Sequence, residues 1–383
     1  MLQEYKKYKE QILNRAKKIV IKVGSAVLTG ANGLDPRVIN RLADEISLLH
    51  DQGRDILLVS SGAVAAGCKV MTSCKVKECL AYKQAVSAIG QSRLMHAYDE
   101  AFARYNKITA QILLTKDDLK SRERFLNARN TLLNLLSWKV IPIINENDTV
   151  VVQELKFGDN DALAALVLNL VEADLFINLT SADGVYNSNP MKDKNAKLLP
   201  YIKDISKLDL EEICQGKTTQ GTGGMYSKLL AARRAAQIGV PTLIVSGKVR
   251  FALERVFSGE ELGTFIFPEE KSISRRKFWL AYNLDSRGEV LVDKGAVEAI
   301  VNQGKSLLPA GIVDVRGKFG KGALVKVIDA ESGESLGVGL TNYKSSELKQ
   351  IMGRKSSEIE NILGQCAYSE AIHRDNFLLG AAL

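Results

Sequence analysis

The chain has 383 residues, of which 46% are hydrophobic and 25% charged, a composition typical of a soluble globular protein with two or three domains. It contains no run of about 18 apolar residues and no signal-peptide core, so we exclude a membrane-spanning helix and expect a cytoplasmic protein. The five cysteines show neither metal-ligand spacing nor a disulfide framework, which agrees with a reducing compartment: Cys68, Cys74, Cys79, Cys214 and Cys366.

The net charge of +8 at pH 7 raises the question of a nucleic-acid partner. Residues 1–18 carry six basic and two acidic side chains, whereas residues 287–370 carry eleven of each. The excess charge therefore belongs mainly to a basic N-terminal extension and not to a binding face. We interpret this extension, residues 1–18, either as a short helix or as a frayed tail.

Apolar segments of strand length alternate with segments of helix length along residues 19–267. This alternation predicts an α/β domain with a mostly parallel sheet covered by helices on both faces, and a helix is expected over Pro36–His50. The predicted strands are Lys18–Gly24, Asp55–Gly62, Thr109–Leu114, Val140–Ile144, Leu175–Leu179 and Thr242–Val245. Ligands of such sheets bind beyond the carboxyl ends of the strands. The candidate site residues therefore lie within Lys22–Ser25, Ser60–Gly62, Asn145–Asp148 and Thr180–Gly184.

The pattern of residues changes after Pro268. Residues 268–286 are predicted to form a charged linker, and residues 287–370 a small, separate β-rich domain. The strand candidates of this domain are Glu289–Val292 and Ala323–Ile328, which glycine-rich turns separate.

The stretch Gln220–Lys228 contains three glycines and is followed by a helix-like run from Leu229 to Ile238. A glycine turn that leads into a helix N-terminus binds anions, because unpaired N–H groups and the helix dipole both favour negative charge. A lysine in the first turn, here Lys228, is unfavourable unless an anion lies beside it. The spacing is not that of a Walker A loop. The alternative is a mobile surface loop with a solvated lysine.

Lys22 interrupts an apolar strand near its carboxyl end. A buried ammonium group there needs an anionic partner, and a phosphate would serve. The alternative is a lysine that reaches solvent from an edge strand.

Three further polar stretches follow predicted strands or precede a helix. Gly158–Asp161 precedes the apolar helix 162–171, where one residue is enough to cap the helix, so the surplus carboxylate and amide could hold an ammonium group, Mg²⁺ or a catalytic lysine. Asn145–Asp148 is either a ligand-binding edge or an ordinary turn. Ser60–Gly62 offers hydroxyls and amides suited to a carboxylate but lacks the pattern of a hydrolase nucleophile. The three histidines show no ligand spacing and are predicted to be structural: His50, His96 and His373.

Taken in order, these motifs resemble those of the amino acid kinase family, and the likeness covers nearly all of residues 19–370. The lysine, GDND and GTGGM motifs are typical of the whole family, whereas FLNAR and INEND favour the branch that phosphorylates glutamate over the acetylglutamate and aspartate branches. The matching stretches are 21–25, 60–67, 122–129, 144–148, 158–161 and 221–225. Residues 307–312 and 337–343 resemble a PUA domain, a fold seen in RNA-modifying enzymes.

The resemblance implies a three-layer αβα kinase domain, a C-terminal PUA-like domain, and ATP with Mg²⁺ as the phosphoryl donor. Lys22 and Lys228 would contact the transferring phosphoryl group, and Asp161 would organise them. Glutamate would be held by Ser61, Asp148 and Asn160. The nucleotide would be lined by Lys22, Thr180, Ser181, Thr222, Gly223, Gly224, Met225, Tyr226, Ser227 and Lys228. The resemblance also implies the first step of proline synthesis, feedback inhibition by proline, and a homo-oligomer.

One residue departs from the family pattern. After Thr180 the family usually has an acidic residue, whereas this chain has Ser181, with Asp183 two positions later. The sequence therefore does not show which residue contacts the nucleotide after Thr180. Two other functions are also consistent with the sequence, namely a sibling kinase acting on another carboxylate or a carbamate, and an RNA-binding PUA protein. The balanced charge of residues 287–370 argues against the second, because nonspecific affinity for RNA comes from neutralising phosphates.

Overall fold

The computed structural model describes residues 2–30, 33–71, 79–151, 160–190, 192–214, 224–270, 272–274, 278–279, 286–364 and 368–380. The chain divides into two compact units, the first ending at Ser272 and the second starting at Ile273. In the described ranges, no helix has both the length and the apolar character needed to cross a membrane.

The first unit contains an eight-stranded sheet in its described residues, in the order β5-β6-β4-β1-β7-β9-β10-β8. The strands are β1 Lys18–Val23, β4 Asp55–Ser60, β5 Thr109–Leu114, β6 Ile141–Glu146, β7 Leu175–Thr180, β8 Tyr201–Ile202, β9 Thr242–Ser246 and β10 Thr264–Ile266. All neighbours are parallel except β9 and β10. A small hairpin joins β2 Thr29–Gly30 to β3 Gly33–Leu34.

The first unit also contains helices in its described residues. They are α1 Leu2–Arg15, α2 Ser25–Leu28, α3 Pro36–Asp51, α4 Ala63–Val70, α5 Leu80–Ala103, α6 Lys116–Lys120, α7 Arg122–Ser137, α8 Asn160–Val171, α9 Leu210–Cys214, α10 Met225–Gln237 and α11 Ala252–Phe257. All six predicted strands and the predicted helix over Pro36–His50 are present, with ends that differ by at most two residues.

The strands are apolar throughout because both faces of the sheet are covered. Ile21 of β1 packs in one cluster with Leu42 of α3 and Leu94 of α5. Helices α8 and α10 also contact the strands, and in β1 the residues Ile19 to Ile21 have no exposed surface. The predicted three-layer αβα arrangement with a mostly parallel sheet is confirmed.

The N-terminal extension forms a helix that packs on the first unit. Leu13 and the following Ala16 are buried in the main core cluster. The Tyr8 ring stacks on Phe267 with 5.4 Å between ring centroids and an interplanar angle of 4°. The prediction of a helix is therefore correct, and the alternative of a frayed tail is wrong.

The second unit is β-rich, as predicted. Its described residues form a five-stranded sheet in the order β12-β11-β13-β14-β15, and they include the two predicted strands as β11 and β13. The strands are β11 Gly288–Val292, β12 Ile312–Gly317, β13 Leu324–Asp329, β14 Ser335–Leu340 and β15 Phe377–Leu379. Helices Lys294–Val301, Ser345–Ile351 and Ile359–Leu363 share a core cluster with this sheet.

Two glycines allow α4 and α5 to approach each other closely. A methyl group on Gly67 of α4 would overlap the carbonyl oxygen of Val86 in α5. A methyl group on Gly90 of α5 would likewise overlap the carbonyl oxygen of Ala63, the first residue of α4. Neither backbone carbonyl can rotate away. These contacts therefore fix the position of α5 along its axis, and its rotation about that axis, relative to α4.

We expect Gly90→Ala to destabilise the protein, although alanine is the better helix former by about 1 kcal/mol. The added methyl group must displace helix backbone, and overpacking of this kind costs about 1–3 kcal/mol. Unfolding in urea measures the effect. Gly295→Ala is the matched control, because Gly295 lies in an exposed helical turn where the nearest atom to an added methyl group is 3.4 Å away. Equal stability of the Gly90 variant and wild type would contradict the close approach.

Candidate active site

The sheet order places β1 in the interior, paired with β4 on one side and β7 on the other. The chain passes from β1 towards β4 but from β7 towards β9, so the connections after β1 and β7 diverge and leave a crevice at their carboxyl ends. Lys22 of β1 lies opposite Asn178 of β7 in the strand register. Asn160 and Asp161 begin α8, and Lys228 lies in the first turn of α10.

These elements bring Asp161 between two lysines. Its Oδ1 lies 2.6 Å from Lys22 Nζ, and its Oδ2 lies 3.1 Å from Lys228 Nζ. Asn178 Nδ2 donates to Oδ1 at 2.8 Å, and Ser227 Oγ donates to Oδ2 at 2.8 Å. Each carboxylate oxygen thus has one ammonium group and one neutral donor, so the four acceptor positions of the carboxylate are used.

Burial by itself would raise the pKa of the Asp161 carboxyl, because a charge is costly away from water. The charges of Lys22 and Lys228, with the hydrogen bonds from Lys22 and Asn178, outweigh burial and hold this pKa below its ordinary value. Asp161 is therefore an anion at neutral pH. With both lysines protonated, these three side chains bring two positive charges and one negative charge together.

Neither lysine is a surface side chain. Lys22 is 2% exposed on an interior strand and Lys228 is 4% exposed. Both alternatives left open by the sequence are therefore wrong, because Lys22 does not lie in an edge strand and Lys228 is not a solvated loop lysine. The anion that offsets Lys228 at the start of α10 is the carboxylate of Asp161.

Beside this cluster, a chain of side-chain amides links the ends of β4, β6 and α8. Asn160 Nδ2 lies 2.9 Å from each of three acceptors, Ser60 O, Ser61 Oγ and Asn145 Oδ1. Asn145 Nδ2 donates in turn to Gln91 Oε1 on α5 at 2.9 Å. We call these three side chains, Gln91, Asn145 and Asn160, the amide relay.

The segment after β6 differs from its sequence prediction. The strand continues through Asn145 and Glu146, and both are buried, so the alternative of an ordinary turn is wrong for these two residues. Asp148 lies beyond the strand and accepts a hydrogen bond from Ser87 Oγ of α5 at 2.8 Å. The structure therefore brings Asp148, Ser61 and Asn160 to the same edge of the sheet as the lysines.

On the other side of β1, Thr180 ends β7 as a buried residue, and its carbonyl oxygen accepts from the Gly247 amide at 2.8 Å. Ser181 is exposed. Met225 and Tyr226 are half-buried, and Ser227 Oγ, which donates to Asp161, lies 2.9 Å from the Gly224 carbonyl oxygen. The expected nucleotide residues Thr222 and Gly223, like Gly158 and Asp159, lie outside the described residues.

Sequence reasoning missed several residues that hold these groups in place. Asn178 lies within a buried strand, and Ser87 and Gln91 lie within a long helix. A polar residue at an otherwise buried position is the only signal that could have singled them out. Their partners come from elements distant in sequence, which a local pattern does not reveal.

No metal centre built from protein groups is found in the part of the chain that the structure describes, where no cluster of three or more His, Cys, Asp or Glu could hold an ion. The buried carboxylate nearest the lysines, that of Asp161, is already occupied by four donors. It does not fit the role of a direct Mg²⁺ ligand.

Comparison with known families agrees with this geometry. The family model described as "Amino acid kinase family" matches residues 17–246, and the model described as "PUA domain" matches residues 288–363. The chain belongs to the amino acid kinase family, and its second unit contains a PUA domain. It is therefore an enzyme of the kinase class.

Curated relatives are similar to this chain over nearly its whole length. A protein of Maridesulfovibrio salexigens named glutamate 5-kinase is 62% identical over 373 residues, which cover 97% of this chain and 99% of that protein. The glutamate 5-kinases of Oleidesulfovibrio alaskensis and Nitratidesulfovibrio vulgaris are 57% and 54% identical over 97% and 99% of this chain, and over 98% and 100% of their own lengths.

We expect Asp161→Asn to destabilise the protein by about 3–5 kcal/mol at pH 7, because two buried ammonium groups lose their shared counter-charge. The folded-state pKa of Asp161 is lowered, so its stabilisation is complete above the unfolded value of about 3.9 and is lost as the pH falls through the folded value. The gap in unfolding free energy between wild type and variant should stay constant from pH 7 to about 4 and narrow below.

Urea unfolding at a series of pH values measures this gap. Asp183→Asn is the control, because it removes an exposed carboxylate. No difference in unfolding free energy between wild type and this variant is expected. A gap at pH 7 that is no larger than that of the control would contradict the role of Asp161 as the counter-charge.

Proposed function

We propose that the enzyme transfers the γ-phosphoryl group of ATP to the γ-carboxylate of L-glutamate, giving γ-glutamyl phosphate and ADP. The observation that carries this proposal is the buried pair Lys22 and Lys228 around Asp161, at the sheet edge where ligands of parallel sheets bind. The names of the curated relatives support glutamate as the acid.

The reaction needs no general base. The side-chain carboxylate of free glutamate has a pKa of about 4.3, so it is already an anion at neutral pH. One of its oxygens forms a bond to the γ-phosphorus while the bond from that phosphorus to the bridging oxygen of ADP breaks. Catalysis then consists of bringing two anions together in line and stabilising charge on the transferring group. Two buried ammonium groups held close together by Asp161 suit that task.

We assign the acid to the side of the site that contains Ser61, Asp148 and Asn160. A hydroxyl group can donate to a substrate carboxylate, and carboxylate and amide oxygens can accept from the α-ammonium group. Asn160 of this group and Asp161, which binds the lysines, are consecutive residues in the first turn of α8, so these groups lie beside the lysines. The arrangement supports an acid site in reach of the phosphoryl group.

We assign the nucleotide to the side formed by Thr180, Ser181 and residues 222–228. The first turn of α10 offers N–H groups of the kind that bind phosphate, and Lys228 lies in that turn. Mg²⁺ would enter with the phosphates of ATP, which usually supply several of its oxygen ligands, and would neutralise part of their charge.

The place of this reaction in metabolism also follows from the sequence resemblance. We propose that it is the first step of proline synthesis, that proline inhibits it, and that the enzyme is a cytoplasmic homo-oligomer. The likeness of the FLNAR and INEND stretches to the glutamate branch supports the first two proposals.

Release of ADP from ATP and Mg²⁺ should depend on L-glutamate and fall when proline is added. A coupled assay over a panel of acids measures this directly, with aspartate, acetylglutamate and carbamate as the competing acceptors. Faster turnover with one of those acceptors than with glutamate would replace the proposed substrate with that of a sibling kinase.

Lys228→Met should lower kcat by roughly 100- to 1000-fold, the loss typical of one transition-state donor, while the protein remains folded. Steady-state kinetics with saturating ATP and glutamate measure the loss. Lys207→Met is the control, because the side chain of Lys207 is 81% exposed. Near-normal turnover of the Lys228 variant would remove this residue from the mechanism.

A further inference from the structure

Three polar side chains on one face of α5 reach the end of β6 and the segment that follows it. Gln84 Nε2 donates to the Val151 carbonyl at 2.9 Å, and Ser87 Oγ donates to Asp148. Gln91 Oε1 accepts from Asn145. Residues at positions i, i+3 and i+7 share one side of a helix, so a single face of α5 holds the proposed acid side of the site.

We propose that Gln91 is a positioning residue that holds Asn145 in place within the amide relay, so that the enzyme recognises an acid carrying an α-ammonium group. This inference rests on the proposed function, since it concerns how the same acid is chosen. Gln91 itself touches neither the acid nor the nucleotide in this scheme, and it acts through Asn145 and Asn160.

The direction of the relay follows from which atom of each amide is used. Asn145 Nδ2 donates to the oxygen of Gln91, while Asn145 Oδ1 accepts from the Glu146 amide at 2.9 Å and from Asn160, so the nitrogen of Asn145 faces α5 and its oxygen faces Asn160. Asn160 then presents its nitrogen to Asn145, Ser60 and Ser61, which are all acceptors. The oxygen Oδ1 of Asn160 faces away from these acceptors. An oxygen in that place can accept from an ammonium group but cannot bind a carboxylate.

The other end of the Gln91 amide supports this reading. Gln91 is 9% exposed, and its Nε2 has no hydrogen-bond partner among the described residues. The contact that the described residues show is made by the oxygen of the amide. The oxygen is the useful atom, and a glutamate side chain would supply it too.

The close approach of α4 and α5 holds this relay in a fixed position. Gly90 precedes Gln91 and lies against the Ala63 carbonyl at the start of α4. Helix α4 begins two residues after Ser61, which accepts from Asn160 at the other end of the relay. Both ends of the relay are therefore attached to one rigid helix pair.

The test compares glutamate with glutarate, which is the same acid without the α-amino group. In Gln91→Leu, kcat/KM for glutamate should fall about 3- to 10-fold, the effect of losing one oriented hydrogen bond, while the value for glutarate should not change. Gln91→Glu keeps the acceptor oxygen and should retain the preference for glutamate. If Gln91 had a purely structural role, Gln91→Leu would lower kcat/KM equally for both acids. The variant Gln91→Glu would then not restore the preference for glutamate.

Gln111→Leu is the matched control, because Gln111 is exposed on edge strand β5 and outside the site. An equal fall of kcat/KM for the two acids in Gln91→Leu would overturn the inference. The inference would also be overturned if Gln91→Glu lost the preference for glutamate as fully as Gln91→Leu. Failure of the wild-type enzyme to phosphorylate glutamate would instead reject the proposed function. The two failures are thus distinguished by the wild-type assay alone.

Discussion

The buried carboxylate of Asp161 is the constraint on which the site depends. Taking two ammonium groups and a carboxylate out of water costs several kcal/mol for each charge, and only well-placed partners offset that cost. Here the partners come from β1, β7, α8 and α10, so the charge cluster also fixes these four elements relative to one another.

The sheet order explains why these elements meet. Strand β1 is interior, and its neighbours β4 and β7 continue the chain in opposite directions. The connections after β1 and β7 diverge, and Lys22 lies near the carboxyl end of β1 between them, buried beside Asp161. A lysine at the same place in an edge strand would reach solvent, and it would not need Asp161.

The sequence predicted the strands and most of the charged residues because both have local signatures. Lys22 interrupts an apolar run, and Asp161 begins an apolar helix. The sequence did not reveal whether the strand of Lys22 was interior or at an edge, since strand order depends on contacts between distant segments. It also did not identify Asn178 or Gln91, which a local pattern treats as isolated polar residues of a strand and a helix. The structure alone shows that Asn178 donates to Asp161 and that Gln91 accepts from Asn145.

The two proposed halves of the site use different interactions. The phosphoryl side relies on charge, which acts over a distance and tolerates movement of a ligand, whereas the acid side relies on amides, whose hydrogen bonds depend on direction. Asn160 and Asp161 are consecutive residues in the first turn of α8, yet Asn160 belongs to the amide relay and Asp161 to the charge cluster. A shift of α8 would therefore move both halves together. The separation of acid and phosphoryl group would be preserved, and in-line transfer requires that the reacting atoms stay about 3–3.5 Å apart.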